Sequence, residues 1–349
     1  MAVQSVTGPV AAGELGTTLP HEHLFIDLRN QYSVPQDPER RRVGEEPLSA
    51  GNLHLVRRDP YVIRDNLLLD DATLAAQEAA CFRRAGGRTI VDCTSRGIGR
   101  DAAGLLDIAR RTGLTIVAGC GYYTQDTHPA AMPRWPAGRI ADEMVRELTD
   151  GIGDTGVRAG VIGEIGTSSP IHPDEAKNLE AAAIAWRQAP VAVYVHTYPW
   201  GGRGGEAARQ LIAGGVDPAR IVICHGDIQL DMAYLRRLLE LGVCVEFDNF
   251  GKEFQPDVAG PAEGGFVPGA FAADADRVRA ILELVDAGHE GRLLITNDIC
   301  LKCMLHAYGG RGYDNILTGV VPALRAAGVS QRTVDAFLID NPRLLLAGH

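Results

Sequence analysis

His21, Glu22 and His23 stand together in TTLPHEHLFI (17–26), an apolar run of strand character. Residues two apart on a strand share a face, so both imidazoles point into one space while Glu22 points away. Alone, the pair reads equally as a metal site and as two hydrogen-bonded polar residues near a strand end. Four more side chains of ligating type recur in the same setting: Glu164, His196, His225 and Asp298 each close an apolar run. Any one of them is explained by an ordinary hydrogen bond; the recurrence is not. Four imidazoles and two carboxylates form a donor set for borderline divalent cations, zinc foremost, with manganese, iron or cobalt as alternatives. Six donors exceed one tetrahedral ion and suit two ions that share a bridge, a role open to a carboxylate.

The runs that carry these residues are 17–26, 88–94, 114–120, 157–165, 190–197, 220–225, 242–249 and 292–298. They are β-branched and nearly continuous in hydrophobicity, as strands buried on both faces must be. Helical patterns lie between them at 72–86, 102–112, 139–152, 173–189, 204–215, 230–241 and 272–289, with two more near 313–327 and 330–340. Eight strand–helix units without a Gly-rich phosphate fingerprint predict a closed (β/α)8 TIM barrel rather than an open doubly wound sheet. The carboxyl ends of the strands are where such a barrel assembles its site. Segments 28–71 and 250–270 are long, irregular connections of the kind that carry function. With no internal repeat or linker, residues 1–349 are expected to form a single domain.

Composition narrows the function classes. The 349 residues carry 46% hydrophobic and 22% charged side chains and a net charge of −10. The acidic surplus argues against a nucleic-acid partner, which requires a basic stripe. No stretch reaches the ~20 apolar residues of a membrane span, and no signal peptide is apparent at the start. Cys93, Cys120, Cys224 and Cys244, four of seven cysteines, lie in or at the end of apolar runs, so reduced buried thiols and a cytoplasmic location are expected. Only three of the 34 basic side chains are lysines: Lys177, Lys252 and Lys302.

Several segments resemble the phosphotriesterase family of the amidohydrolase superfamily, in order and over nearly the whole chain. They are GPVAAGELGTTLPHEH (8–23), IVDCTSRGIGRD (90–101), GVIGEIGTS (160–168), VHT (195–197), ICHGD (223–227), EFDNFGKE (246–253), NDI (297–299) and YGGRGYDNIL (308–317). The similarity is greatest to the phosphotriesterase homology and phosphotriesterase-related branch. It implies that His21 and His23 hold a more buried ion with Asp298, and that His196 and His225 hold a more exposed one. Well-known members bridge the ions with a carboxylated lysine at the end of strand four. Here that position is Glu164, and no lysine lies on the strand, so a carbamate bridge is excluded. The implied chemistry is attack by a hydroxide held between the ions, with Asp298 carrying the proton. The expected substrate is a small molecule with a carbonyl group: an N-acyl amide, lactone, ester or thioester. A phosphotriester or phosphodiester hydrolase is the alternative enzyme, and a ligand-binding protein on a barrel scaffold the alternative outside catalysis. A homodimer is implied by the family alone.

Other residues carry weaker expectations. Tyr122 and Tyr123 follow strand three, Trp200 follows strand five, and Lys252 follows strand seven; all four are candidate substrate contacts. Asp227 and Asp248 are expected to hydrogen-bond the ligand histidines. Arg100 and Asp101 read as an ion pair or a helix start. Cys300 and Cys303 form a CxxC for which only His306 offers itself as a further ligand, too few donors for a structural zinc.

Overall fold

The computed structural model describes residues 1–34, 37–256 and 266–347. Residues 35–36 of the first long connection, 257–265 of the second, and 348–349 lie outside the described residues. Eight parallel strands pair in chain order: β1 (Thr18–Glu22), β2 (Thr89–Asp92), β3 (Thr115–Cys120), β4 (Val161–Thr167), β5 (Val193–Thr197), β6 (Ile221–Ile223), β7 (Cys244–Phe247) and β8 (Leu293–Ile295). Parallel neighbours need a crossover. The helices that supply it are α1 (Ala72–Arg84), α2 (Ala102–Thr112), α3 (Ala137–Thr149), α4 (Pro173–Gln188), α5 (Gly204–Ala213), α6 (Met232–Glu240) and α7 (Asp274–Asp286). Helical turns from Ile316 to Ala326 and from Gln331 to Ala347 follow β8. The result is the expected (β/α)8 barrel. Among the described residues no helix is long and apolar enough to cross a membrane.

Alternation along the strands divides the core in two. Ile90, Ile116, Ile162, Ile223, Val245 and Ile295 face outward into the helix layer. Val91, Val117, Val161, Tyr194, Val222 and Leu294 fill the barrel together with Cys93, Cys224 and Cys244. Val3 of an N-terminal hairpin and Leu345 and Leu346 of the last helix join this inner cluster. Local signals start and stop the helices. Asp71 and Asp101 cap α1 and α2, and His172 with Glu175 forms a reciprocal cap on α4, where Pro173 occupies the first turn. Arg100 pairs with Glu147 through both terminal nitrogens, at 2.7 and 2.8 Å, so Arg100 and Asp101 are both structural.

β1 and β8 meet without a ladder of backbone bonds; side chains close the seam. Thr296 Oγ1 lies 2.8 Å from the His21 carbonyl and 2.6 Å from Glu22 Oε1. Glu22, turned away from the imidazoles, accepts the Asn297 N–H at Oε1 (2.9 Å) and the Ile299 N–H at Oε2 (2.8 Å). These bonds bracket Asp298, a non-glycine residue at φ 48°, a conformation that needs outside support. Glu22→Gln places an amide N–H where Ile299 needs an acceptor, or forces the same conflict at Asn297. We expect a loss of about 1–3 kcal/mol, read as a lower midpoint in denaturant; an unchanged midpoint would show that the clasp adds nothing.

Candidate metal centre

Each candidate ligand reaches the barrel mouth by a local device. His21 lies within β1 and His23 just beyond it. His196 is next to last in β5. His225 (φ 61°) and Asp298 (φ 48°) sit two and three residues past β6 and β8, on backbone bent out of the strand. Glu164 departs from its expected place at a strand end: β4 runs on to Thr167, and its register against β5 shifts between Ile162 and Ile165. The cause is Gly163, at φ 123°, where a Cβ would stand 2.4 Å from the Tyr194 carbonyl oxygen. Only glycine permits that approach, and the kink turns the Glu164 carboxylate into the barrel.

All six side chains converge, and they form two nests. In the first, His21 Nε2 and His23 Nε2 are 3.3 Å apart, and Asp298 Oδ1 lies 3.8 and 3.1 Å from them. Glu164 Oε2 closes this nest at 3.6 and 3.8 Å from the same nitrogens. In the second, His196 Nδ1 and His225 Nε2 are 2.8 Å apart, and Glu164 Oε1 is 3.1 and 3.0 Å from them. One carboxylate therefore offers one oxygen to each nest. Donors around a tetrahedral ion with bonds of about 2.1 Å stand about 3.4 Å apart, which the first nest matches and the second approaches.

Partners behind the histidines fix which nitrogen faces the nests. Thr94 Oγ1 donates to the Phe25 carbonyl (2.8 Å), so it accepts from His23 Nδ1 (2.8 Å) and leaves Nε2 as a lone pair. His21 Nδ1 lies 2.8 Å from Glu246 Oε2, and His225 Nδ1 lies 3.1 Å from Asp248 Oδ2. Such partners orient ligands and raise their basicity. Asp248 thus takes the place expected of it. Asp227 does not: it pairs with the buried Arg277 (3.0 Å) and with Asn249. Glu246 and Thr94 went unpredicted, although Glu246 shares a strand face with Asp248 two residues on, a spacing that marks it.

Charge in the site is tightly balanced. Burial disfavours a charged Glu164, but His21 and His196 outweigh it and hold the carboxyl well below the usual range. At His225 burial opposes the cation, yet Asp248 and Glu164 push its pKa up to about 10. Asp298 is likewise opposed by burial, but the Lys252 ammonium, with His23 and His21, pulls it down to about 2. Lys252 Nζ lies 2.5 Å from Asp298 Oδ2, so the two oxygens of Asp298 serve different partners. That ion pair was not foreseen.

A cleft opens above the nests, lined by Tyr61, Tyr123, Trp200, Ile228, Phe266 and Phe271 and by Lys252. Tyr123, Trp200 and Lys252 thus line the cleft, and the Tyr123 hydroxyl is 3.0 Å from His196 Nδ1. Tyr122 is not so placed: its hydroxyl bonds Glu143 (2.5 Å) and Arg96 (3.1 Å) on the helix side. Cys300 lines the cleft while the Cys303 N–H is held by Asn66, and His306 binds neither.

Comparison with known proteins identifies the family of the chain. The chain is 36% identical over 348 residues to the N-acetyltaurine hydrolase of Tetraodon nigroviridis, a match covering 98% of this chain and 96% of that one. A resiniferatoxin-binding protein from Rhodobacter sphaeroides superposes with a TM-score of 0.94 at 37% identity, over 99% of this chain and 94% of that one. The phosphotriesterase homology protein of Escherichia coli, solved with phosphate in its active site, superposes with a TM-score of 0.78 at 32% identity, over 95% and 99% of the two chains. The model of the phosphotriesterase family matches residues 1–346. The chain belongs to the phosphotriesterase family and is one of its hydrolases.

Proposed function

We propose that the protein hydrolyses a small carbonyl substrate, an N-acyl amide foremost and otherwise a lactone, ester or thioester, with two divalent ions. The observation that carries this reading is the division of Glu164, with Oε2 turned to His21 and His23 and Oε1 turned to His196 and His225. Zinc suits these donors best; manganese, iron and cobalt remain alternatives. When bound, the ions supply Lewis acidity, which makes water a nucleophile near neutral pH and polarises the substrate oxygen. The protein's own groups then carry the rest. Asp298 is the catalytic residue: its Oδ1 faces the first nest, where it accepts the proton of the attacking water. The Lys252 ammonium beside it favours the ionised form of Asp298, which gives the proton up readily to the leaving nitrogen. Lys252 keeps Oδ2 engaged, which fixes the orientation of Oδ1. The aromatic walls of the cleft exclude water around the acyl group. The N-acetyltaurine hydrolase relatives favour an amide among the carbonyl substrates.

Turnover of N-acyl amides, lactones, esters, thioesters and phosphotriesters, measured with metal content on one sample, tests the proposal. Carbonyl turnover with about two ions per chain is expected. Preference for a phosphotriester would replace the substrate class, and tight ligand binding without turnover would favour a binding protein.

Chelation should abolish turnover and lower the unfolding temperature, since ions at 1,000 times their Kd contribute about 4 kcal/mol. An ion must displace the proton that His225 holds up to a pKa of about 10. Affinity should therefore fall with decreasing pH, about tenfold per unit for each proton released. Metal content that stays constant between pH 8 and pH 5 in dialysis would contradict this.

A further inference from the structure

His306 has a different partner from the CxxC. On the outside of the barrel it meets Cys81 of α1 and Asp314, and one donor atom from each lies within 4.8 Å of the others. The three come from separate elements: α1, the turn His306–Tyr308, and the segment leading to the helical turns from Ile316. We propose that Cys81, His306 and Asp314 form a peripheral binding site for a zinc-class cation, separate from the barrel mouth.

Three features support it. The donors are a thiol, an imidazole and a carboxylate, a mixture suited to zinc rather than to calcium or magnesium. They are also held in place. Glu78, one turn before Cys81, accepts the backbone N–H groups of His306 (3.0 Å) and Ala307 (2.9 Å), which fastens the histidine turn to the helix that carries the thiol. Gly312, at φ 65°, lies against the imidazole so closely that a Cβ would stand 2.3 Å from His306 Cδ2. Finally, the site is reachable. A depression lined by Gln77, Glu78, Cys81 and Arg84 leads to the thiol, and the 40% exposed side chain of His306 leaves room for water as a fourth ligand.

Binding requires little movement. Donors of a tetrahedral zinc stand about 3.4 Å apart, so His306 Nε2 and Asp314 Oδ1 part from 2.6 Å while Cys81 moves inward. The thiol proton leaves to solvent, and the thiolate, carboxylate and dication sum to neutrality. Arg84 Nη2, 3.0 Å from Cys81 Sγ, swings away as the ion takes its place. The ion would pin the segment that leads from Asp298 onto α1. That segment carries Tyr313, whose hydroxyl donates to the His23 carbonyl (2.6 Å).

The test is a cobalt titration of the full chain after chelation. A thiolate-to-cobalt charge-transfer band is expected, together with about one ion per chain beyond those at the mouth. Cys81→Ser and His306→Ala should each lose the band and that ion, while Cys300→Ser keeps both. Glu164→Gln should keep the band while losing ions at the mouth, which separates failure here from failure of the hydrolase proposal. Absence of a band in the unmodified protein, or a band and ion count unchanged in Cys81→Ser, overturns the site and leaves His306–Asp314 as a surface ion pair.

Discussion

Replacement of Glu164 by glutamine is expected to strip metal and activity together. The amide keeps the shape of the side chain but turns a donor N–H toward one nest and removes the negative charge shared by both. Either nest alone keeps only neutral imidazoles, or imidazoles with Asp298. Loss of an outer partner alone costs about 10–100-fold in affinity or activity, so loss of a residue facing both nests should exceed about 100-fold. Metal analysis and turnover on the same preparation decide the matter. Full metal content with normal turnover would remove Glu164 from the centre. Because Gly163 fixes the backbone there by its contact with Tyr194, the substitution should leave the strand undisturbed. The far-ultraviolet circular dichroism of the variant checks that directly.

Asp298→Asn is expected to lower turnover by about 100- to 10,000-fold, the range for loss of general acid–base catalysis, and by more than its metal loss explains. The asparagine can still present an oxygen to His21 and His23, so part of the metal should remain. It cannot take up a proton. It also leaves the Lys252 ammonium buried beside a neutral amide, where breaking a buried pair costs about 3–5 kcal/mol. Lower thermal stability should therefore accompany the catalytic loss. The double variant Asp298→Asn/Lys252→Met should recover stability without recovering turnover. If turnover falls only in proportion to metal content, Asp298 is a ligand and no proton carrier.

Much of the fold and the converging residues was legible in the chain because both depend on short-range rules. Buried parallel strands advertise themselves as β-branched runs, and the start of α2 carries its cap in sequence at Asp101. Ligand-type residues stood out by falling at the ends of those runs. What escaped depended on side-chain direction or on distant partners. Tyr122 and Tyr123 are neighbours just past β3, yet one side chain reaches Glu143 and the other His196. Asp227 and Asp248 look alike in sequence, but a buried arginine 50 residues further on claims Asp227. Lys252 could be placed near the mouth by its position after β7, whereas its bond to Asp298 required the folded loops. The kink at Glu164 was hidden because Gly163 acts through its contact with β5, an element that follows 30 residues later.

The seam between β1 and β8 has a consequence for how the protein acquires its site. His21 and His23 come from the first strand of the barrel and Asp298 from beyond the last, so the first nest does not exist until the two ends of the chain have met. Contacts between such distant segments are the slow part of folding, because the loop they close is nearly the whole polypeptide. A cation in that nest would recognise only the completed circle and would act as a latch on topology, slowing reopening without hastening the earlier steps. Unfolding rates should therefore respond to metal more strongly than refolding rates do.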